Sequence, residues 1–158
     1  MRIVCEPIGY VERGEASLAE ARGREEVVAL DEELMRKPAV IRLRREYCEG
    51  IRGIRRGALL WVLWYAHLAP SGRRAPLLVH PYRDERLPLL GVFATRSPAR
   101  PCPIGLSLVY VANVHDCSLE VVGLDALNGT PVLDLKLYYE GLDSPRRVLE
   151  RAGGAHSS

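Results

Sequence analysis

The apolar residues of this chain fall in short segments separated by turn residues, and this spacing is the strongest restriction on the fold. Predicted strands cover residues 2–11, 39–43, 58–68, 88–94, 104–112, 118–124 and 131–139. Helix is expected only around 15–37 and 44–51. Because strands and helices do not alternate regularly, the pattern favours a barrel or sandwich over a doubly wound sheet. We predict a mainly β fold, a small closed β-barrel of six or seven strands with short helical insertions.

The length indicates one domain, because 158 residues are enough for one hydrophobic core and no Pro/Gly-rich linker divides the chain. We place the barrel domain at residues 1–150 and a disordered tail at 151–158. The longest apolar run, residues 58–66, is too short to cross a bilayer. The first residues lack the apolar core of a signal peptide. We therefore expect a cytoplasmic protein with no membrane partner.

Cysteine and histidine are scattered, which argues against a metal centre. Cys5, Cys48, Cys102 and Cys117 form no C-x-x-C pair, and a zinc site needs clustered ligands. A cytosolic domain of this size needs no disulfide framework. The sequence predicts four unpaired thiols, most of them packed, and no metal.

Arginine supplies nearly all of the positive charge, and it is unevenly distributed. Of 22 basic residues only Lys37 and Lys136 are lysines, although the net charge is +2. One basic stretch covers residues 36–56, an acidic one covers 12–33, and six further arginines lie between 73 and 100. Arginine forks suit phosphates, so this pattern is compatible with an RNA-binding surface. Mutual pairing of the acidic and basic segments explains the same pattern equally well.

The most informative segment is 91–107, GVFATRSPARPCPIGLS. Pro98, Pro101 and Pro103 fix the backbone and cannot donate to a strand ladder, so residues 97–103 must form a rigid loop. Arg100 lies in that loop and Arg96 directly precedes it, and a stiff loop loses little entropy when it binds an anion. The nucleotide-binding motifs G-x-G-x-x-G and G-x-x-x-x-G-K-[ST] are absent from the sequence. Any cofactor must therefore be held by a non-Rossmann arrangement.

Segment 91–107 resembles the signature of the TrmO family (also called TsaA-like or YaeB-like), GVFATRSPxRPNPIGxS. Residues 124–138, LDALNGTPVLDLKLY, resemble the family's DxxDGTPVxDIKPY, and PIGYV at 7–11 resembles its first strand. This chain has Cys102, Asn128 and Leu137 where the family usually has asparagine, aspartate and proline. Residues 14–38 do not clearly match the family's proline-containing cofactor segment.

The resemblance implies a homodimeric β-barrel that binds S-adenosylmethionine and methylates N6 of N6-threonylcarbamoyladenosine, next to the anticodon of tRNA. DNA is not an expected partner. Residues implied to bind the cofactor are Ala66, His67, Arg96, Leu106, Asp125, Ala126, Leu127 and Asn128. Residues expected to contact the substrate are Arg100, Asp134 and Lys136. No catalytic side chain is assigned.

Several of these residues have a simpler structural interpretation. Arg96 suits a cofactor or substrate carboxylate, or an ion pair within its loop. Asp134 and Lys136 lie two apart on one strand face, so they either reach one ligand or pair with each other. Three functions therefore remain open: a tRNA methyltransferase, a small-molecule methyltransferase on the same barrel, and a cofactor-binding or RNA-binding module without turnover. We expect a homodimer also because segment 58–68 is apolar on both faces.

Overall fold

The computed structural model describes residues 3–13 and 32–155, and its main feature is a closed antiparallel barrel of six strands. The barrel strands are β1 (Gly9–Glu12), β2 (Ala39–Leu43), β3 (Leu59–Tyr65), β6 (Ile104–His115), β7 (Ser118–Val122) and β8 (Pro131–Leu137). They follow one another around the wall in the order β1-β2-β7-β6-β3-β8. A separate pair joins β4 (Leu78–Val79) to β5 (Leu90–Gly91). The predicted closed β-barrel is confirmed.

Alternate residues of the barrel strands point inward and form one core. In β3 the inward residues Leu60 and Val62 are buried, and in β6 Val109 and Val111 are buried. Leu124, just after β7, completes the same cluster. Each such side chain stabilises the fold by about 1.5–3 kcal/mol relative to exposure. The two-residue period of a strand explains why β3 can be apolar throughout and still present a second apolar face outward.

Glycine is required at one point inside the barrel wall. Gly105 of β6 is paired with Trp64 of β3, and a Cβ on Gly105 would overlap the indole ring. The missing side chain lets the indole pack against the end of the core. This contact fixes Trp64 at the start of β6, where the proline-containing segment 91–107 ends.

The strand predicted over 88–94 is wrong for most of its length. Only Leu90–Gly91 is extended, and Val92–Ala94 forms a 3-10 turn. Thr95 closes that turn, because its backbone N–H and its hydroxyl both donate to the carbonyl of Val92, at 3.1 and 2.9 Å. Local hydrogen bonds of this kind compete with a strand ladder. Of the strand predicted over 2–11 only the last part is present, as Gly9–Glu12. Strand 39–43 has its predicted ends, and the remaining strands end within three residues of the prediction.

Short helices lie between the barrel strands and after the last strand. Arg45–Ile51 is a 3-10 helix, as predicted for 44–51, and residues 32–36 are helical, whereas 15–31 lie outside the described residues. After β8 come α1 (Glu140–Asp143) and α2 (Pro145–Ala155). Residues 151–155, predicted as tail, form the last part of α2. An Arg147–Glu150 ion pair of 3.0 Å lies in the preceding turn of this helix. Among the described helices, none is long and apolar enough to span a membrane.

A disulfide overturns the prediction of four unpaired thiols. Cys48 in the 3-10 helix bonds to Cys117 in the turn between β6 and β7, across 69 residues. Cys5 and Cys102 are free and exposed. Sequence spacing could not reveal the pair, because barrel closure alone brings these two segments together.

Acidic and basic side chains of the first third of the chain pair with each other. These ion pairs are Arg36–Glu32, Lys37–Glu33, Arg42–Glu12, Arg44–Glu6, Arg44–Glu46 and Arg52–Glu49. All are exposed or partly exposed, so each contributes at most about 1 kcal/mol. Within the described part of the chain, Arg45, Arg55 and Arg56 have no such partner. Most of the basic stretch is thus locally neutralised, in line with mutual pairing rather than a continuous basic surface.

Candidate cofactor site

Residues 66–103 connect β3 to β6 and lie across one end of these two strands. The amide of Ala66 donates to the carbonyl of Pro103 at 2.8 Å, and Gly72 donates to Pro101 at 2.9 Å. These bonds close the base of the connection directly beyond the Tyr65–Ile104 pair of the barrel. The connection is therefore fixed to the barrel at the place where the proline-rich motif ends.

Arg100 stabilises this connection by hydrogen bonds to its backbone carbonyls. Its Nε donates to Ser97 O at 2.8 Å, and its Nη2 donates to Thr95 O at 2.6 Å and Val92 O at 3.2 Å. The guanidinium therefore ties three backbone carbonyls of one short segment together, and the side chain is half-buried. The structure shows a positioning role for Arg100. Its predicted contact with substrate stays a prediction.

Arg96 extends from the same loop to the barrel wall. Its Nη2 donates to the carbonyl oxygen of Leu106 in β6, and the side chain is exposed. Ala66 and the exposed His67 lie beside Pro103, two residues before the glycine at which Trp64 packs. Four of the predicted cofactor residues are thus brought together at one corner, where β3 ends and β6 begins.

The segment Asp125–Asn128 is linked to this corner through Ser107. The buried hydroxyl of Ser107 accepts a 2.8 Å hydrogen bond from Trp64 Nε1 and donates to Oδ1 of Asp125. Ser107 directly follows Leu106 in β6. The carbonyl of Leu106 accepts from Arg96 and the hydroxyl of Ser107 donates to Asp125, so two consecutive residues of β6 contact these two side chains. In the same segment Ala126 is buried in the core, so its predicted contact with the cofactor stays a prediction.

Arg13, which sequence reasoning missed, connects three segments of the site. Its backbone N–H donates to Asn128 Oδ1 at 3.0 Å, and its guanidinium donates to Leu34 O at 3.3 Å and Lys37 O at 3.4 Å. Burial lowers the pKa of Arg13, and the charge of Asp125 opposes that shift. Its Nε is buried with no hydrogen-bond partner among the described residues. A single arginine after β1 carries no local signal, because its partners lie 21 to 115 residues away.

The hydrogen bond of Asn128 also explains one departure from the family pattern. Asn128 stands where aspartate is usual, and its Oδ1 accepts the Arg13 N–H. An amide oxygen and a carboxylate oxygen are both acceptors. The substitution therefore preserves this contact while removing one negative charge.

The matching family model decides which family this architecture represents. Residues 30–144 match the model described as the tRNA-methyltransferase O N-terminal domain. The chain belongs to this family. The match includes the loop with Arg96 and Arg100, the start of β6, and the Asp125–Asn128 segment.

Curated relatives of the family are similar to this chain over about two thirds of its length or less. A probable S-adenosyl-L-methionine-binding protein from Methanocaldococcus jannaschii is 39% identical over 108 residues, which is 68% of this chain and 86% of that protein. The tRNA (adenine(37)-N6)-methyltransferase of Escherichia coli is 42% identical over 94 residues, 57% of this chain and 40% of that protein.

Solved TrmO structures share the fold. The crystal structure of TrmO from Pseudomonas aeruginosa superposes with a TM-score of 0.65 at 27% identity, covering 91% of this chain and 59% of that one. This chain therefore spans about three fifths of the solved TrmO chain that it matches.

Asp134 and Lys136 lie on the outer face of β8 and pair with each other at 2.7 Å. Asp134 is opposite Leu63, and Leu63 is opposite Leu106 on its other side. Asp134 is therefore two strands from Leu106 on the same outer face. The structure shows the ion pair, and a joint contact with substrate stays a prediction.

The chemistry of these side chains fits S-adenosylmethionine, which has a carboxylate, an ammonium group and ribose hydroxyls. Arg96 is exposed and uses only one of its five N–H groups on Leu106, which leaves donors for a carboxylate. Asp125 is half-buried, and Oδ1 alone receives the Ser107 proton, which leaves Oδ2 as an acceptor for ammonium or hydroxyl groups. In the described ranges, no three histidine, cysteine, aspartate or glutamate side chains are grouped as metal ligands.

Proposed function

We propose that this protein methylates N6 of an adenosine beside the tRNA anticodon and takes the methyl group from S-adenosylmethionine. The observation that carries the proposal is that Arg96 and Asp125 are hydrogen-bonded to Leu106 and Ser107, two consecutive residues of β6, within a domain of the tRNA-methyltransferase O family. The name of the E. coli relative supports the reaction, and the name of the M. jannaschii relative supports the cofactor. We expect the protein in the cytoplasm, where it would meet tRNA.

Bound S-adenosylmethionine supplies a methyl group that its positively charged sulfur makes reactive toward nucleophiles. The protein's own contribution is alignment, because an in-line displacement depends on the angle and distance between donor and acceptor. Arg96 is held by Leu106, and Asp125 is held by Ser107. Both side chains therefore present their remaining polar atoms from fixed positions, which reduces the entropy lost on binding.

We propose N6-threonylcarbamoyladenosine as the acceptor nucleoside. This nucleoside carries a carboxylate on its threonyl group, and it lies in a polyanion. The segment 66–103, which adjoins the site, has six arginines and two acidic residues. Positive charge beside the site favours an acceptor that is anionic over a neutral small molecule.

We further propose that the protein is a homodimer formed through the outer face of β3 and β6. Their outward residues are Leu59, Trp61, Leu63, Tyr65, Ile104, Leu106, Leu108 and Tyr110. The four β6 residues among them are 38–44% exposed, although all are large and apolar. A contiguous face of this kind favours a covering partner. Because Leu106 belongs to both this face and the cofactor corner, a second copy would border the cofactor site.

The function is tested by incubating the protein with S-adenosylmethionine and tRNA and analysing the nucleosides by mass spectrometry. We expect one methyl group to be added to threonylcarbamoyladenosine. Unmodified adenosine-37 tRNA should not react, and Asp125→Ala should reduce the rate. Cofactor binding by calorimetry without methylation of any tRNA would contradict the proposal and favour a binding module. Activity without RNA that is insensitive to salt would favour a small-molecule methyltransferase.

A further inference from the structure

Phe93, the only phenylalanine of the chain, lies in the loop that carries Arg96, and its side chain points into solvent. It is 77% exposed, whereas the preceding Val92 is 1% exposed. The cofactor corner described above does not use this ring. An aromatic ring so fully exposed beside a candidate active site leaves both of its faces open to a flat ligand.

The ring is carried by a rigid turn. The carbonyl of Val92 accepts three hydrogen bonds, from Thr95 N at 3.1 Å, Thr95 Oγ1 at 2.9 Å and Arg100 Nη2 at 3.2 Å. Val92 N–H donates to Leu77 O at 2.9 Å, which fixes the turn to the β4–β5 pair. The backbone at Phe93 is thus held from both sides. A preorganised aromatic side chain loses little entropy when a flat partner stacks on it.

The segment that contains Phe93 has an excess of positive charge. Residues 66–103 include six arginines and only two acidic residues, Asp84 and Glu85, of which Asp84 pairs with Arg86 at 2.7 Å. Arg73 is exposed and, within the described part of the chain, pairs with no acidic side chain. Exposed aromatic rings interleaved with arginines are typical of surfaces that bind single-stranded nucleic acid, where bases stack and phosphates pair with the cations.

The positive charge of this segment favours RNA over a second copy of the chain as the partner of the Phe93 surface. A two-fold interface places the same patch on both subunits, so it would bring two arginine-rich segments against each other. The outer face of β3 and β6 is lined by large apolar side chains; Arg96 reaches it at Leu106, and Asp134 and Lys136 on the neighbouring β8 neutralise each other. The apolar barrel face therefore suits a second copy, and the Phe93 surface suits a polyanion.

We propose that Phe93 is a stacking platform for a nucleobase of the tRNA anticodon loop, with Arg73 and Arg96 contacting the adjoining backbone. This inference rests on the proposed function, because it assumes that RNA is the substrate. Base stacking contributes to affinity without reading sequence, so the platform would orient a loop nucleotide rather than select one base. The modified adenosine could then enter the cofactor corner while a neighbouring base is held on Phe93.

The test compares Phe93→Leu and Phe93→Trp with the control Leu89→Ala, which changes an exposed leucine nearby. We expect Phe93→Leu to lose about 5- to 150-fold in affinity for a threonylcarbamoyl-modified anticodon stem-loop, measured by fluorescence anisotropy. Phe93→Trp should retain most of the affinity because it keeps a flat ring. The Phe93→Leu loss should be the same at low and high salt, whereas Arg73→Ala should lower the salt slope.

Three parallel measurements decide between this and other roles. Unchanged stem-loop affinity in Phe93→Leu would overturn the proposal, and so would equal losses in Phe93→Leu and Phe93→Trp. A loss of S-adenosylmethionine affinity in calorimetry without RNA would assign the ring to the cofactor instead. A loss of dimer in light scattering would assign it to an interface. Stem-loop binding is measured independently of methylation, so a failure of the proposed reaction remains distinguishable from a failure of the stacking contact.

Discussion

The backbone N–H of Arg13 donates to Oδ1 of Asn128 at 3.0 Å, and this bond joins the end of β1 to the turn before β8. The guanidinium of the same residue reaches the carbonyls of Leu34 and Lys37. Arg13 therefore lies where the described helical residues 32–36 meet the candidate cofactor segment. Burial lowers the pKa of Arg13, and the negative charge of the nearby Asp125 opposes that lowering.

Replacing Arg13 should weaken both the fold and the cofactor site. Arg13→Met keeps the backbone N–H but removes the two side-chain bonds, so we expect about 1–2 kcal/mol lower stability in urea unfolding. Asp125 also loses a neighbouring positive charge, so we expect S-adenosylmethionine affinity to fall several-fold in calorimetry. Arg13→Lys should rescue part of the affinity. Loss of stability with unchanged affinity in Arg13→Met would restrict Arg13 to a purely structural role.

Arg96 should contribute directly to ligand affinity. Arg96→Ala removes a charge-assisted hydrogen-bond donor, so we expect a loss on the order of 1.5–3 kcal/mol, roughly 10- to 150-fold in affinity for S-adenosylmethionine. Arg96→Lys should rescue only part, because an ammonium group cannot reproduce the planar fork. Arg52→Ala is the control, since Arg52 is exposed and pairs with Glu49 away from the loop. Full affinity in Arg96→Ala would remove this side chain from the cofactor site.

The barrel could be predicted because strand periodicity and turn signals are local properties of the sequence. The short strand 39–43 was predicted with its observed ends, Ala39 and Leu43. The strand over 88–94 was wrong because Thr95 and, from eight residues away, Arg100 both donate to Val92 O and hold a turn there. Hydrogen bonds between a side chain and a distant carbonyl leave no periodic trace in the sequence.

The site was only partly predictable for the same reason. The proline loop indicates a rigid element, and the structure adds that Arg100 provides much of that rigidity. Arg13 and the Cys48–Cys117 disulfide connect segments that meet only when the barrel closes. Their roles follow from topology, which the spacing of residues along the chain does not specify.

Asp84 should make the stability depend on pH at acidic values. Hydrogen bonds from Arg86, first from its side chain at 2.7 and 2.9 Å and then from its backbone N–H, lower the pKa of Asp84 from 3.8 to about 2. The carboxylate therefore stabilises the folded state fully above pH 3.8, and this contribution is lost as the pH falls through about 2. Asp84→Asn should be less stable than the parent at pH 7, and the difference should shrink below pH 4 and vanish near pH 2. A difference in urea midpoint that stays constant from pH 7 to pH 2 would contradict this assignment.

The Cys48–Cys117 disulfide should stabilise the protein by restricting its unfolded chain. The bond closes a loop with a sequence separation of 69 residues, for which the loop-entropy relation gives about 4 kcal/mol. We expect the double variant Cys48→Ser/Cys117→Ser to show that loss in urea unfolding. A reductant should destabilise the parent protein but not the double variant. Cys5→Ser/Cys102→Ser is the control and should match the parent, because both thiols are free and exposed.

A charge on the outer face of β6 should separate the proposed dimer. Leu108 lies opposite Trp61 in the middle of this face and is 38% exposed, so Leu108→Glu would place an unpaired carboxylate in the interface without disturbing the barrel core. Burying such a charge is strongly unfavourable. In light scattering at micromolar concentration we expect twice 17.6 kDa for the parent and 17.6 kDa for the variant. Leu149→Glu, on the exposed side of α2, should leave the mass unchanged. A parent protein that is already monomeric would refute the dimer, and a Leu108→Glu protein that remains dimeric would place the interface on another surface.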